Sequence, residues 1–264
     1  MKVGIYTNTS KDIDNISTEK LFYELDANGI NYVEIASDSN IYDIDLLIVL
    51  GGDGTILKLV DYIVNANVPV LGINAGKVGF LSEFEIFEIE DAVQLIKNNE
   101  LIVDERLVLQ TNIENKVYYA LNEIVLQRIY NDTNEKIIRV DVSINGEHVD
   151  RIDGDGVIIS TPTGSTAYSL SAGGSILTPT INAFSMTPLC AHSLHNRPLV
   201  FPADNPCEIT LKNNCPCGLF IDGILKKMLT YESSIKTFCS DKKIRFLRKK
   251  DSNFYTRLLK KLKK

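Results

Sequence analysis

The chain has 264 residues, of which 44% are hydrophobic and 23% are charged, with a net charge of −6. This balance is typical of a globular protein and excludes disordered, collagen-like and disulfide-scaffold proteins. No apolar run approaches the ~20 residues that a transmembrane segment needs, and the first residues become polar too early for a signal peptide, so we expect a cytoplasmic protein.

The first hundred residues alternate short β-branched runs with helical periods. They predict strands over residues 2–6, 31–35, 45–50 and 68–73, and helices over residues 17–28, 55–64 and 90–99. The run over residues 45–50 is almost continuously apolar, as in a parallel strand that is buried on both faces. The alternation predicts a parallel sheet flanked by helices, with ligands at the carboxyl ends of its strands.

The pattern changes near residue 100. Later segments read as short strands separated by Asn, Asp and Gly turns, over residues 107–113, 116–128, 136–144, 156–161, 208–212 and 235–238. We therefore predict an α/β domain over residues 1–100 and a β-rich domain over residues 101–264. The five cysteines include no C-x-x-C pair, so we predict reduced structural thiols, without a disulfide framework, a zinc site or another set of direct metal ligands.

The end of the chain is strongly basic. Residues 242–264 contain eleven Lys or Arg and one acid, whereas the remainder contains 17 basic and 33 acidic residues. Phe254, Tyr255, Leu258, Leu259 and Leu262 interleave with these cations at helical spacing, a pattern that suits an anionic surface, a nucleic acid or an acidic face of the protein itself. A solvated C-terminal helix is the simpler interpretation, and we expect no nucleic-acid partner.

The loop of residues 51–55, GGDGT, lies between the buried strand and its helix. Its glycines allow a close backbone approach to a ligand, and N–H groups at a helix start attract a phosphate. A carboxylate there would repel the phosphate unless it holds a magnesium ion or accepts a proton from a hydroxyl that attacks phosphorus. Asp53 is therefore a candidate catalytic group of a kinase; the alternative is that it only caps the helix.

Two further segments are candidates for ligand binding, one rich in glycine and one rich in hydroxyl residues. The second turn, residues 72–81, follows the next strand, and two such turns side by side would form a cradle for a polyphosphate or a dinucleotide. The TPTGSTAY segment, residues 161–168, offers hydroxyl and backbone donors, and Tyr168 could stack on a base. Taken alone, this segment could equally be a simple Gly/Ser loop.

These segments occur in order with Asn122-Glu123, the SAGG of residues 171–174 and the H-x-L-x-x-R-P of residues 192–198, and the chain resembles the NAD kinase family over residues 45–223. GGDGT is shared more widely with lipid kinases and phosphofructokinases, whereas TPTGSTAY is most particular to NAD kinases. The resemblance implies an N-terminal Rossmann-like α/β domain, a C-terminal β-sandwich-like domain and a homo-oligomer, either tetramer or dimer.

The resemblance also implies roles. Asp53 would activate the 2′-hydroxyl of the adenosine ribose of NAD, giving NADP, with ATP or polyphosphate as the phosphate donor and a divalent metal, Mg²⁺, carried by that donor. The remaining positions would contact the phosphates and the nucleotide: Gly52, Gly54, Thr55, Lys58, Asn122, Glu123, Asp153, Asp155, Thr163, Thr166, Ala167, Tyr168 and Ser171. Without the family, Asn122 and Glu123 could be two polar residues on alternate faces of an edge strand.

Three places depart from the family pattern, of which Ala191-His192, where Pro-His is usual, is minor. Asp153 stands where many bacterial members have a basic residue, so a phosphate contact is lost or is supplied by Lys58, Arg151 or another subunit. Asp222-Gly223-Ile224 lacks the Gln that often follows, which puts a polar contact in doubt. Two alternatives stay open: a lipid or sphingoid-base kinase, against which TPTGSTAY argues, and a non-catalytic NAD(P) sensor that keeps the pocket without donor dependence.

Overall fold

The computed structural model of the chain describes residues 1–8, 15–35, 43–74, 79–130, 136–193 and 195–263. The chain divides into two compact units. The first unit is formed by Met1–Arg106 together with Ile244–Lys264, and the second by Leu107–Lys243. Strands and helices are numbered below in chain order.

The described residues of the first unit form seven strands in one sheet, five α-helices and a 3-10 helix, Ile86–Glu88. Its strands are β1 (Lys2–Thr7), β2 (Asn31–Glu34), β3 (Leu46–Leu50), β4 (Val70–Asn74), β5 (Phe84–Glu85), β6 (Ile102–Arg106) and β19 (Ile244–Arg248). Its helices are α1 (Ile16–Ala27), α2 (Asp53–Lys58), α3 (Val60–Ala66), α4 (Ile89–Lys97) and α6 (Phe254–Leu262).

The sheet of the first unit is mostly parallel. Its strand order is β2-β1-β3-β4-β19-β6, with β5 paired to β4, and β6 is the one antiparallel neighbour in that order. Every residue of β3 and β4 is buried, which confirms the prediction for residues 45–50. Leu50 lies opposite Ile73, so the chain leaves β3 and β4 at the same edge of the sheet. That edge receives the GGDGT loop and the second turn.

The predicted helix over residues 55–64 differs in detail from the structure. It begins at Asp53 and consists of two helices, α2 and α3, that meet at Leu59. Within the described residues, no helix is long and apolar enough to cross a membrane.

The C-terminal segment belongs to the first unit, which differs from the predicted division into residues 1–100 and 101–264. β19 pairs with both β4 and β6, and Ile244 and Phe246 are fully buried. The sequence analysis did not predict this strand because the surrounding segment is dominated by cations. Of the basic tail, only residues 254–262 form the expected amphipathic helix, α6.

Within its described residues, the second unit contains two antiparallel sheets of six strands, a short α-helix, α5 (Tyr168–Ser171), and a 3-10 helix, Gly164–Thr166. Its strands are β7 (Leu109–Ile113), β8 (Lys116–Ala120), β9 (Glu123–Arg128), β10 (Ile138–Ile144), β11 (Glu147–Gly154), β12 (Gly156–Ser160), β13 (Ala183–Leu189), β14 (Leu199–Pro202), β15 (Cys207–Leu211), β16 (Cys217–Ile221), β17 (Ile224–Leu229) and β18 (Ser234–Cys239). One sheet has the order β11-β10-β15-β18-β7-β8 and the other β14-β13-β12-β9-β16-β17.

The two sheets of the second unit share one hydrophobic core. Val140 and Ile209 come from the first of these sheets, Leu126 and Ile159 from the second, and all four are fully buried in a single cluster. The predicted β-sandwich-like architecture is therefore confirmed. The predicted strand over residues 116–128 is in fact two strands, since the chain turns at Leu121 and Asn122 between β8 and β9.

The five cysteines, all of which lie within the described residues, are thiols that are not joined by disulfide bonds. Cys207, Cys215 and Cys217 are buried in the core of the second unit. Burial raises the pKa of the Cys207 and Cys217 thiols to about 12, so these groups stay protonated at neutral pH.

Because β19 fills the centre of its half of the sheet, we expect Phe246→Ala to destabilise the protein by about 3–5 kcal/mol through lost burial and a residual cavity. Urea unfolding followed by circular dichroism measures the change. Phe87→Ala is the matched control, since Phe87 is 72% exposed and its truncation should cost well under about 1 kcal/mol. Equal costs for the two variants would contradict the placement of β19 in the core.

Candidate functional site

Asp53 is the third residue of the GGDGT loop after β3 and the first residue of α2. Its carboxylate accepts hydrogen bonds from the backbone N–H groups of Phe80, at 2.7 Å, and Leu81, at 3.2 Å. The N-cap residue of α2 is Gly52, and no side chain caps this helix. The alternative that Asp53 only caps its own helix is therefore wrong; the carboxylate binds the end of the second turn instead.

The second turn approaches Asp53 very closely. A Cβ atom added at Gly79 would overlap the Asp53 carboxylate, so only glycine allows this contact. Residues 75–78 of the second turn, which include Gly76, lie outside the described residues. At the start of the turn Asn74 is 2% exposed, and its Nδ2 has no hydrogen-bond partner among the residues that the structure describes.

The GGDGT loop already uses part of its backbone. The N–H of Gly51 donates to the Ile73 carbonyl at 2.9 Å, and the N–H of Thr55 donates to the Gly52 carbonyl at 2.8 Å. The buried Thr55 hydroxyl accepts from Asn8 Nδ2 at 2.9 Å. The N–H groups of Gly51 and Thr55 are therefore already engaged within the protein. Gly54 and Lys58 are exposed and stand at the beginning and the end of α2.

In the second unit, Asn122 and Glu123 are fixed by Asp222. The Asp222 carboxylate accepts from the N–H groups of Leu121, Asn122 and Glu123 at 2.8, 2.8 and 3.0 Å. Asp222 and Gly223 both have positive φ and form the two-residue turn between β16 and β17. Sequence reasoning missed this positioning role, although Asp-Gly between two apolar runs is a strong hairpin signal.

Glu123 is a buried acid with an unused oxygen. It is 6% exposed, and its Oε2 has no hydrogen-bond partner within the described part of the chain. Burial and the neighbouring Asp222 raise the pKa of Glu123 to about 8, although a hydrogen bond from the Tyr168 backbone acts in the opposite direction. β9 lies between β12 and β16, so the edge-strand alternative for Asn122 and Glu123 is wrong.

The TPTGSTAY segment is locked by its own hydroxyl groups. Thr161 Oγ1 donates to the Leu121 carbonyl at 2.5 Å, and Ser165 Oγ donates to the Pro162 carbonyl at 2.6 Å. A Cβ atom at Gly164 would overlap the carbonyl of Asn122, so the segment lies directly against that residue.

The residues of this segment, together with Ser171, differ in how far their side chains are exposed. Thr161, Thr163 and Ser165 are buried, whereas Thr166 and Ala167 are half-buried. Tyr168 and Ser171 are exposed. Within the TPTGSTAY segment, Thr166, Ala167 and Tyr168 are therefore more accessible than the buried residues.

Asp153 and Asp155 both form ion pairs. Asp155 pairs with Arg128 at 3.4 Å and accepts from the Tyr130 hydroxyl at 3.2 Å. Asp153 pairs with Arg139 at 2.8 Å. Arg139 therefore neutralises the acid that stands where many bacterial family members have a basic residue.

Arg151, one of the sources of positive charge that the sequence suggested, has an ion-pair partner of its own. Arg151 pairs with Asp141 at 2.6 Å.

The H-x-L-x-x-R-P segment lies next to Asp153. His192 is exposed and donates its backbone N–H to the Asp153 carbonyl, and Leu194 lies outside the described residues.

Across the described ranges, no group of three or more His, Cys, Asp or Glu side chains is arranged to hold a metal ion. Asp53 is a single carboxylate bonded to backbone donors. A magnesium ion bound through one carboxylate together with substrate phosphates is compatible with such a site, because Mg²⁺ in kinases rarely needs a protein cage.

Comparison with known proteins decides the family. Residues 5–101 match the model of the ATP-NAD kinase N-terminal domain, and residues 121–249 match the ATP-NAD kinase C-terminal domain. The chain belongs to the NAD kinase family. The predicted family and the predicted enzyme class, a phosphotransferase, are thereby confirmed.

Relatives of this family match the chain over its whole length. The NAD kinase of Caldicellulosiruptor saccharolyticus is 34% identical over 264 residues, covering 100% of both chains. The NAD kinase of Methanosphaera stadtmanae is 34% identical and covers 99% of each. Yeast NADH kinase complexed with NADH has a TM-score of 0.81 and 26% identity, covering 99% of this chain and 87% of that one.

A fourth comparison concerns the fold alone. An NAD kinase from Archaeoglobus fulgidus in complex with ATP has a TM-score of 0.82 and 23% identity, covering 100% of this chain and 99% of that one. The predicted combination of an α/β domain with a β-sandwich-like domain is confirmed by these NAD kinase structures.

The buried acid gives a pH-dependent prediction. The ordinary pKa of a Glu is 4.5 and that of folded Glu123 is about 8, so between these values the folded protein holds a proton that the unfolded chain releases. The stability that depends on this proton is complete below about pH 4.5 and is lost as the pH rises through about 8.

Glu123→Gln removes this titration while keeping the shape of the side chain. We expect its free energy of unfolding, relative to wild type, to rise by on the order of 3 kcal/mol between about pH 5 and pH 8. Urea unfolding of both proteins at the two pH values provides the measurement. A difference between variant and wild type that does not change with pH would show that Glu123 is ionised in the folded protein.

Proposed function

We propose that the protein transfers a phosphoryl group to the 2′-hydroxyl of the adenosine ribose of NAD, giving NADP, with Asp53 as the general base. In this reaction the hydroxyl proton passes to the Asp53 carboxylate, and the 2′-oxygen attacks the terminal phosphorus of the donor. The bond from that phosphorus to the bridging oxygen breaks, and the shortened donor leaves with the electron pair.

The observation that carries the proposal is the fixed position of the Asp53 carboxylate. Two backbone N–H groups hold it, from Phe80 and Leu81, while the side chain stays half-buried. A carboxylate has about four lone-pair positions, so two donors leave room for a substrate hydroxyl. A base that is held in one orientation needs no rearrangement before the proton moves.

In the second unit we assign the recognition of NAD to the residues around β9. Asn122 offers an amide, and Glu123 offers the Oε2 atom that has no partner among the described residues. A Glu with a pKa of about 8 is protonated at neutral pH and can donate a hydrogen bond to a ribose oxygen or an adenine nitrogen. Tyr168 is 36% exposed and can stack on a base.

We assign the phosphate donor to the glycine-rich backbone of the first unit, with Gly52, Gly54, Thr55 and Lys58 around it. The family name, ATP-NAD kinase, supports ATP as donor, and polyphosphate is the alternative. Magnesium bound to the donor would neutralise charge on its phosphates. In this arrangement Lys58, a cation on an exposed side chain with a flexible stem, can turn toward the anion.

The remaining assignments follow the family pattern. Asp153, Asp155, Thr163, Thr166, Ala167 and Ser171 complete the proposed nucleotide contacts. Asp155 would act together with its ion-pair partner Arg128. The homo-oligomer, tetramer or dimer, stays a prediction that light scattering of the purified protein can check.

We expect Asp53→Asn to lower kcat by about 10²- to 10⁴-fold, the usual cost of removing a general base. The KM for NAD should change little, because the substitution keeps the size of the side chain and removes its basicity. NADP formation measured with ATP and, in parallel, with polyphosphate provides the test, and NADH is offered as a second acceptor because the yeast relative binds NADH.

The position of the new phosphate distinguishes the proposal from its alternatives. Phosphate on the adenosine 2′-oxygen, identified by nuclear magnetic resonance of the product, supports it. A wild-type protein that binds NAD but forms no NADP with either donor would point to a sensor. Full activity of the Asp53→Asn variant would remove Asp53 from the chemistry.

A further inference from the structure

A buried arginine lies behind the peptide that holds Asp53. Arg248 is the last residue of β19, and its side chain is 3% exposed. Its Nη1 donates to the Leu81 carbonyl at 2.8 Å, and its Nη2 donates to the Phe80 carbonyl at 3.2 Å. These are the two residues whose N–H groups bond to the Asp53 carboxylate.

The bonds of Arg248 and Asp53 act on one rigid unit. The Phe80 carbonyl and the Leu81 N–H belong to the same peptide group, which is planar, and they point in opposite directions across it. Arg248 holds the carbonyl side of this group, and the Asp53 carboxylate accepts from its N–H side. A tilt of the peptide at the arginine is therefore transmitted directly to the carboxylate.

Acidic residues hold the arginine itself in place. Arg248 pairs with Glu83 at 3.3 Å through Nη1 and with Asp104 at 3.2 Å through Nε. Burial and the nearby Arg257 and Arg106 lower the pKa of Arg248 to about 10, so its guanidinium still carries its charge at neutral pH.

Arg257 on α6 holds the next carbonyl group along the chain, that of Ser82. It donates to the Ser82 carbonyl at 3.0 Å and also bonds to Glu83. Three consecutive carbonyl groups, those of Phe80, Leu81 and Ser82, are thus held by arginines from the C-terminal segment.

We propose that Arg248 is a positioning residue for the reaction: its guanidinium fixes the peptides of residues 80–82 and thereby the orientation of the Asp53 carboxylate. This inference rests on the proposed role of Asp53 as general base. Arg248 does not touch substrate in this view. It acts only through Asp53, and this dependence separates it from a residue that merely stabilises the fold.

Lysine is the informative substitution at this position. A planar guanidinium can donate to two neighbouring carbonyls and to two carboxylates at once, whereas an ammonium is a single point charge on a flexible stem. Arg248→Lys therefore keeps the charge opposite Glu83 and Asp104 but loses the simultaneous hold on both carbonyls. The variant changes the geometry of the support more than its electrostatics.

The test compares four proteins: wild type, Arg248→Lys, Asp53→Asn and the double variant. We expect Arg248→Lys to lower kcat by about 10- to 100-fold, as for a misplaced catalytic group, with the KM for NAD changed by less than about threefold. In the Asp53→Asn background the same substitution should lower kcat by less than about threefold, because no base remains to be positioned. Transfer of radiolabelled phosphate from ATP measures the low rates.

A loss of the same factor in both backgrounds would overturn the inference, since it would show that Arg248 acts independently of Asp53. A fully active Asp53→Asn variant would instead overturn the proposed function, so the two failures are distinguishable. Arg245→Lys is the matched control, because Arg245 lies on the same strand but donates to the Asn67 carbonyl. It should leave kcat within about twofold of wild type, within the usual range for a surface change.

Should Arg248→Lys fail to fold, judged by its thermal melting, Arg257→Lys takes its place in the same cycle. That variant loosens the Ser82 carbonyl, which adjoins the Asp53-binding peptide. We expect a smaller loss of kcat, about 3- to 10-fold, that again disappears in the Asp53→Asn background. Additive losses in this second cycle would overturn the inference as well.

Discussion

The peptide group between Phe80 and Leu81 is the part of the first unit on which the candidate chemistry depends. It donates to the Asp53 carboxylate on one side and accepts from Arg248 on the other. An aspartate in a glycine-rich loop would otherwise rotate freely about its side-chain bonds. Residues that are 27 and 28 positions away along the chain remove this freedom, so the orientation of the carboxylate is a property of the tertiary structure.

The second unit also relies on hydrogen bonds between a carboxylate and backbone N–H groups, but there the carboxylate fixes the backbone. Its Asp222 carboxylate accepts from three consecutive N–H groups, those of residues 121–123, and so fixes the backbone from which Asn122 and Glu123 project. In the first unit the backbone holds a carboxylate that we assign to catalysis. In the second unit a carboxylate holds a backbone that we assign to nucleotide binding. In both cases charge-assisted hydrogen bonds between distant segments create the geometry.

The sequence predicts the parts of the fold that depend on local patterns. Buried β3, the helices on either side of it, the GGDGT loop and the exceptional position of Asp53 all follow from hydrophobic periodicity, glycine spacing and charge. What it could not predict depends on partners far away in the chain. β19 reads as a charged tail until Phe246 is seen opposite Val70 in the sheet. Asp222 and Arg248 act on residues about 100 and 167 positions away, and no local pattern reports such contacts.

Arg248, Glu83 and Asp104 form a cluster of charged side chains in the interior of the first unit, and the presence of charges there needs a physical reason. Replacing buried ion pairs with apolar residues of similar volume is often neutral or stabilising, so such a cluster is poorly explained by stability alone. An apolar side chain at position 248 could not donate to the carbonyls of Phe80 and Leu81. Those carbonyls face a buried guanidinium, and without a donor they would be desolvated acceptors with no partner. The peptides that donate to Asp53 direct their carbonyl groups into the interior, where these acceptors need hydrogen-bond donors. Arg248 supplies those donors.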